Sequence, residues 1–216
     1  MLLQQIREEV VKTGVRLLTS GLVTVTWGNV SARDPDTGYI AITPSGMDYD
    51  AIGPEDIVIL DPSGNVIDGT RKPSSETPMH LYIYKHRPEA YAVVHTHSPY
   101  ATAVGVVEGE IPLIIGELAN AVGGSVKTAP FAPEGTEELG RAAVEGMEGR
   151  AAVLLRNHGV VTLGPTLRDA FFNAVVVEDA AKILYLSRTM GTPTVIPDDE
   201  AKRLHAEFLA SYGQKG

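Results

Sequence analysis

Cysteine is absent from all 216 residues. Its absence removes disulfides, thiolate metal sites and cysteine nucleophiles together, so any bound metal must be held by His, Asp or Glu. Also missing is any run of about 20 uninterrupted apolar residues. The opening MLLQQIREEV places Arg7, Glu8 and Glu9 where a secretory segment needs a neutral apolar block. The chain therefore reads as soluble and cytoplasmic, with no membrane partner. Basic residues are in the minority: 18 Lys+Arg against 27 Asp+Glu leave a net charge of −9. This balance argues against a broad nucleic-acid surface, and a phosphate would have to be bound locally. Low-complexity tracts and internal repeats are lacking too, which excludes solenoids. What is present is 44% hydrophobic content, enough for one sizeable core and a single domain over residues 1–216.

The apolar spacing predicts a first helix through Leu3, Ile6, Val10, Leu17 and Leu18, closed near Gly21. YIAIT and DIVIL read as short strands, DPSGN as a turn, and Val66-Ile67 as a further strand. ETPMHLYIYKH has helical spacing and stops at Pro88 before the strand AYAVVHTH; Ser98-Pro99 then opens another helix. EELGRAAVEGM is an amphipathic helix, and AAVLLRNHGVVTLG two strands broken at Asn157-His158-Gly159. Thr166 caps a long helix closed by Gly191, and a last helix runs from Asp198-Asp199 toward Tyr212. Alternating helices and strands give an α/β fold with helices covering a sheet, and the hairpin-short links imply much antiparallel pairing.

His95 and His97 stand one residue apart at the end of an apolar strand. Residues i and i+2 of a strand point to the same face, so the two rings can share one ion or can be structural histidines with separate partners. His158 repeats that setting, an apolar strand giving way to a glycine, and three imidazoles at one sheet edge with an open position are the pattern of a catalytic divalent metal. His80, His86 and His205 lie inside helical patterns and read as solvated or core residues. A metal centre still needs a proton carrier. Glu76, in KPSSET at a helix start, is either an acid placed against the helix dipole, with Ser74 or Ser75 as N-cap, or that carrier beside an anion cradle of Ser74 and Ser75. Gly28-Asn29 and Ser45-Gly46, taken alone, read as turns.

With GNVS, ITPSG, KPSSE, VVHTHSP, APF followed by GT, and RNHG in that order, the chain resembles the class II aldolase/adducin family, most closely its L-fuculose-phosphate aldolase branch, over residues 2–212. The resemblance implies a three-layer α/β/α sandwich with a mainly antiparallel central sheet, usually a homotetramer with sites between subunits. It implies that His95, His97 and His158 hold one divalent metal, Zn2+ first and Mn2+, Co2+ or Fe2+ as alternatives. It further implies that Glu76 is the acid/base, that Asn29, Ser45, Gly46, Ser74 and Ser75 bind the substrate phosphate, and that Tyr212 reaches a neighbouring subunit's site. There are two departures. PLIIGELANAVGG has Gly116-Glu117 where the fuculose enzymes carry a tyrosine, which makes Glu117 a second candidate, beside Tyr212, for the other proton transfer. Glu134 replaces an aromatic after APF.

The implied reaction is cleavage of a small ketose 1-phosphate to dihydroxyacetone phosphate and a short aldehyde through a metal-stabilised enediolate. Relatives run the same chemistry as a ribulose-phosphate 4-epimerase or a methylthioribulose-phosphate dehydratase. An adducin-like scaffold lacking the ligands is the non-enzymatic alternative. The epimerases carry aspartate at the place of Glu76, so glutamate here favours the aldolase.

Overall fold

A computed structural model of the chain describes residues 1–211, so Tyr212 lies outside the described residues. Helix α1 (Gln4–Thr19) buries Val10, Gly14 and Leu17 and is followed by Gly21 at φ 69°. Four short strands come next: β1 (Asn29–Arg33), β2 (Ile40–Ile42), β3 (Val58–Leu60) and β4 (Val66–Asp68). Helix α2 (Thr77–His86) leads into β5 (Ala92–Thr96), and Pro99 opens α3 (Pro99–Val107) as a first helical residue. The chain continues through β6 (Glu110–Ile111), α4 (Gly116–Val122), β7 (Val126–Ala129) and α5 (Glu137–Met147). It ends with the hairpin β8 (Ala152–Leu155) and β9 (Gly159–Gly164), the long α6 (Leu167–Met190) and α7 (Asp198–Ser211).

The nine strands form one sheet in the order β4-β3-β2-β1-β5-β9-β8-β7-β6. Neighbours are antiparallel except β7 and β8. Strand alternation sorts the core into two faces. Val93, Val153, Leu155, Val161 and Leu163 pack on Met79 and Ile83 of α2 and on Leu139, Ala143 and Met147 of α5. On the other face, Val30, Ala92 and Val94 meet α1 and the first half of α6, while Leu154 and Val160 meet α3, α4 and the second half of α6. At 24 residues, about 36 Å, α6 is long enough to span both clusters of that face. The fold is the expected α/β/α sandwich. No described helix is long and apolar enough to cross a membrane.

Some elements were not legible. Asn29 is not a turn residue: only Gly28 keeps the turn conformation, at φ 86°, and Asn29 opens β1. That strand, NVSAR, looks polar because Ser31 faces the core with its hydroxyl bonded to His80 and Tyr84. Likewise α2 starts at Thr77 with Glu76 in the cap position, and neither Ser74 nor Ser75 is its N-cap; Ser74 Oγ instead accepts the Glu76 N–H at 3.2 Å.

Candidate active site

Strand β5 sits at the centre of the sheet, paired with β1 on one side and β9 on the other. Its alternation puts His95 on the same face as Val93, under α2, and His97 follows two residues on. The register sets Asn29 of β1 opposite His95, and Thr96 opposite Val160 of β9. The β8–β9 turn, with Asn157 at φ 58°, therefore brings His158 beside both rings. Gly159 makes the approach possible: a Cβ there would lie 2.3 Å from the Thr96 carbonyl oxygen and 3.1 Å from His95 Cε1.

The three imidazoles close on one another, with centroids 4.8 Å apart for His95 and His97, 4.8 Å for His95 and His158, and 4.9 Å for His97 and His158. Glu76 joins them from the α2 cap, with Oε2 2.9 Å from His95 Nε2 and Oε1 3.4 Å from His158 Nε2. One donor atom from each of the four residues lies within 4.8 Å of all the others. His95 Nδ1 lies 2.9 Å from the Val160 carbonyl, to which it donates, so Nε2 is the atom turned inward; it stands 2.9 Å from His97 Nε2.

Burial opposes charge on Glu76, but His95, His158 and the hydrogen bond from Asn29 outweigh it and hold the carboxyl well below the usual carboxylate range. Burial also opposes charge on His95, and there Glu76 and the Val160 carbonyl reverse the sign and raise it above the ordinary 6.5. His97 is pushed down to about 3 by burial and then by His95. His158 is lowered for the same two reasons. The cluster thus favours the ionised form of Glu76 and the neutral rings of His97 and His158, while its carboxylate favours the charged form of His95.

This donor set fits a divalent cation. Glu76 Oε1 and His158 Nδ1 are buried with no hydrogen-bond partner, and Oε1 stands 3.4 Å from His158 Nε2. Two imidazole nitrogens 2.9 Å apart repel unless a proton or a cation lies between them, and a cation can displace the His95 proton. Three nitrogens and a carboxylate oxygen suit zinc, and also the other first-row ions.

The profile of the Class II Aldolase and Adducin N-terminal domain matches residues 8–185. The chain belongs to the class II aldolase and adducin family. Within the family it is 44% identical over 215 residues to the 5-deoxy-D-ribulose 1-phosphate aldolase of Bacillus thuringiensis, covering 100% of both chains. It is 38% identical to the 5-methylthioribulose-1-phosphate/5-deoxyribulose-1-phosphate aldolase of Rhodospirillum rubrum, covering 96% of this chain and 92% of that one. A solved L-fuculose 1-phosphate aldolase superposes with a TM-score of 0.92 at 39% identity, over 95% of this chain and 96% of that one.

In this class II aldolase family member a cleft is lined by Glu76, His97 and His158 together with Asn29, Ser45, Gly46, Ser74 and Ser75, so the metal and phosphate candidates share one opening. Two loops carry the hydroxyls and are held side by side. Ser45 donates its N–H to Lys72 O and Ser74 donates its N–H to Thr43 O, on either side of a bridge between Pro44 and Pro73. Glu117 is not brought in: it is exposed in the first turn of α4 and does not line this cleft.

Three participants carried no functional signal in the sequence. Trp27, 61% exposed, lines the cleft with its ring 5.9 Å from His97. Glu134, noticed only as a replaced aromatic, also lines it, with Oε1 3.7 Å from His158 Nε2. His80, read as an ordinary helical histidine, is fully buried behind Asn29. The sole hint for His80 was its position four residues after Glu76, one helical turn along the same face.

Proposed function

We propose that this protein is a metal-dependent aldehyde-lyase that reversibly cleaves a small ketose 1-phosphate, best represented by 5-deoxyribulose 1-phosphate, to dihydroxyacetone phosphate and a short aldehyde. The observation that carries the reading is the buried Glu76 set among His95, His97 and His158 at the floor of a cleft edged by the Ser45-Gly46 and Ser74-Ser75 loops. The names of the Bacillus and Rhodospirillum relatives support the deoxypentulose phosphate as substrate. A second reading, 5-methylthioribulose 1-phosphate, is favoured by the name of the Rhodospirillum relative and differs only in the aldehyde half.

In this reading His95, His97 and His158 hold the cation, zinc first among the candidates, which supplies positive charge against the negative charge left when carbon–carbon bond cleavage begins. Hydroxyls and backbone N–H groups of Ser45, Gly46, Ser74 and Ser75 hold the phosphate, as a chain with few cations requires. In condensation the ionised Glu76 removes a proton from C3 at Oε1, which has no hydrogen bond; in cleavage the electron pair left at C3 by breaking the C3–C4 bond takes a proton from Oε1 that the carboxylate has first acquired from solvent. The proton leaving the C4 hydroxyl passes to Tyr212 or Glu117 of a neighbouring subunit in a cytoplasmic homotetramer. The cleft walls are fixed by paired loops, so the substrate is held in one orientation while these transfers occur.

The test is incubation of metal-analysed protein with 5-deoxyribulose 1-phosphate, followed by NMR. Dihydroxyacetone phosphate and acetaldehyde are expected in equal amounts, with Glu76→Gln reduced at least 100-fold. Unchanged turnover in that variant removes Glu76 from the mechanism. Epimerised pentulose phosphate without cleavage overturns the aldolase reading.

A further inference from the structure

A line of buried hydrogen bonds runs from the core to Glu76. Tyr84 Oη is 2.8 Å from Ser31 Oγ, and Ser31 Oγ is 2.6 Å from His80 Nδ1. His80 Nε2 is 2.5 Å from Asn29 Oδ1, and Asn29 Nδ2 donates to Glu76 Oε2 at 2.8 Å. All five residues are buried, and His80 is fully so.

Elementary donor and acceptor rules fix the direction of this line. A carboxylate only accepts, so Asn29 must turn its NH2 to Glu76 and its carbonyl oxygen to His80. That oxygen also only accepts, so the hydrogen of His80 must sit on Nε2. Burial pushes the pKa of His80 down to about 3, which leaves the ring neutral and its Nδ1 bare. Bare Nδ1 accepts from the Ser31 hydroxyl, and Ser31 in turn accepts from Tyr84, whose phenol burial keeps protonated. Every link donates toward Glu76. With the opposite tautomer, two bare acceptors would face each other 2.5 Å apart, and relieving that by turning the Asn29 amide would set its oxygen 2.8 Å from a carboxylate.

We infer that His80 is a positioning residue: its Nε2–H tautomer, set by Ser31 and Tyr84, orients the Asn29 amide so that Glu76 Oε2 is tied back and Oε1 faces the substrate. The inference rests on the proposed role of Glu76 and also changes the part of Asn29, whose amide serves Glu76 before any phosphate. His80 does not line the cleft. It acts on the reaction only through Asn29.

The test pairs His80→Gln, whose side-chain amide can still donate to Asn29, with His80→Leu, which cannot. In the leucine variant kcat is expected to fall about 10–100-fold, with KM within a factor of about three and metal content per chain unchanged. The glutamine variant is expected to retain most of the lost rate. Exchange of the dihydroxyacetone phosphate C3 hydrogen with solvent should fall in parallel with cleavage, since both use Glu76. Independently of activity, two-bond 1H–15N correlation spectra of histidine-labelled protein should report the Nε2–H tautomer at His80. Tyr84→Phe, a milder change, should lower kcat in the same sense if the leucine variant does not fold. An Nδ1–H ring, equal losses in the glutamine and leucine variants, or a fall in metal content matching the fall in rate overturns the inference. A wild-type protein that shows the tautomer but neither exchange nor cleavage overturns the aldolase reading instead.

Discussion

Glu76 divides its labour between two oxygens. Oε2 takes the Asn29 amide and the inward nitrogen of His95, while Oε1, 3.4 Å from His158 Nε2, is buried without a hydrogen bond. Burying a carboxylate oxygen without a hydrogen bond is costly. The arrangement is understandable where a cation or a substrate proton completes it. Gly159 works by having no side chain. A methyl group would sit 2.3 Å from the Thr96 carbonyl oxygen, a backbone atom that cannot step aside, and against the His95 and His97 rings. Gly159→Ala is therefore expected to cost about 1–3 kcal/mol in urea unfolding and to lower metal content per chain. A variant of wild-type stability and full metal content would show that the turn can shift without disturbing the ligands. The histidines were legible because an H-x-H at a strand end and a second histidine before a glycine each carry a local pattern. The tie from Asn29 to Glu76 was not, because it spans 47 residues and depends on the register of β1 against β5.

Among the elements, α2 buries the core residues Met79 and Ile83 along the same side that carries His80 and Tyr84. One helix thereby anchors the sheet and supplies the support for Glu76 at its own cap. Its spacing was readable from the sequence, but His80 was left between a solvated and a core role because nothing in a helical pattern shows what lies opposite. Helix α3 is positioned differently. Pro99 opens it, Ser98 gives no side-chain cap, and the carboxylate of Glu178 on α6 accepts the N–H groups of Tyr100 and Ala101 at 3.0 and 2.8 Å. A carboxylate at a helix N-terminus satisfies two free donors and meets the positive end of the dipole. Glu178→Ala should lower the stability of the protein by about 1 kcal/mol, read as a lower Tm, with kcat and KM unaltered. A loss of activity at full stability would place Glu178 in the chemistry, which nothing in its surroundings indicates. Strands β6 and β7 and helix α4 escaped the sequence reading for a related reason. β6 and α4 are 2 and 7 residues long, too short for a period to declare itself, and β7 is the run VKTA, whose middle positions are polar.

Taken whole, the molecule places the histidine cluster at the centre of its nine-stranded sheet, where β1, β5 and β9 run side by side and their ends are covered by a helix cap and two loops. An α/β chain with helices covering a sheet was readable from alternating apolar periods and the antiparallel character from the short links, whereas the three-layer arrangement came from the family resemblance. The strand order was not, since β1 lies next to β5 only because β2, β3 and β4 continue outward from it. Net charge −9 agrees with the proposal that a phosphate is held by hydroxyls and backbone N–H groups, and the cleft holds no Lys or Arg among its lining residues. Such a site would leave the charge of the proposed reaction to be balanced by a cation at the histidine cluster. Anomalous diffraction from crystals grown with zinc, collected at the zinc edge, tests it most directly. One peak per chain is predicted, about 2.0–2.1 Å from Nε2 of each of His95, His97 and His158. No peak among those three nitrogens in zinc-replete protein, or a peak held by other residues, would contradict the account.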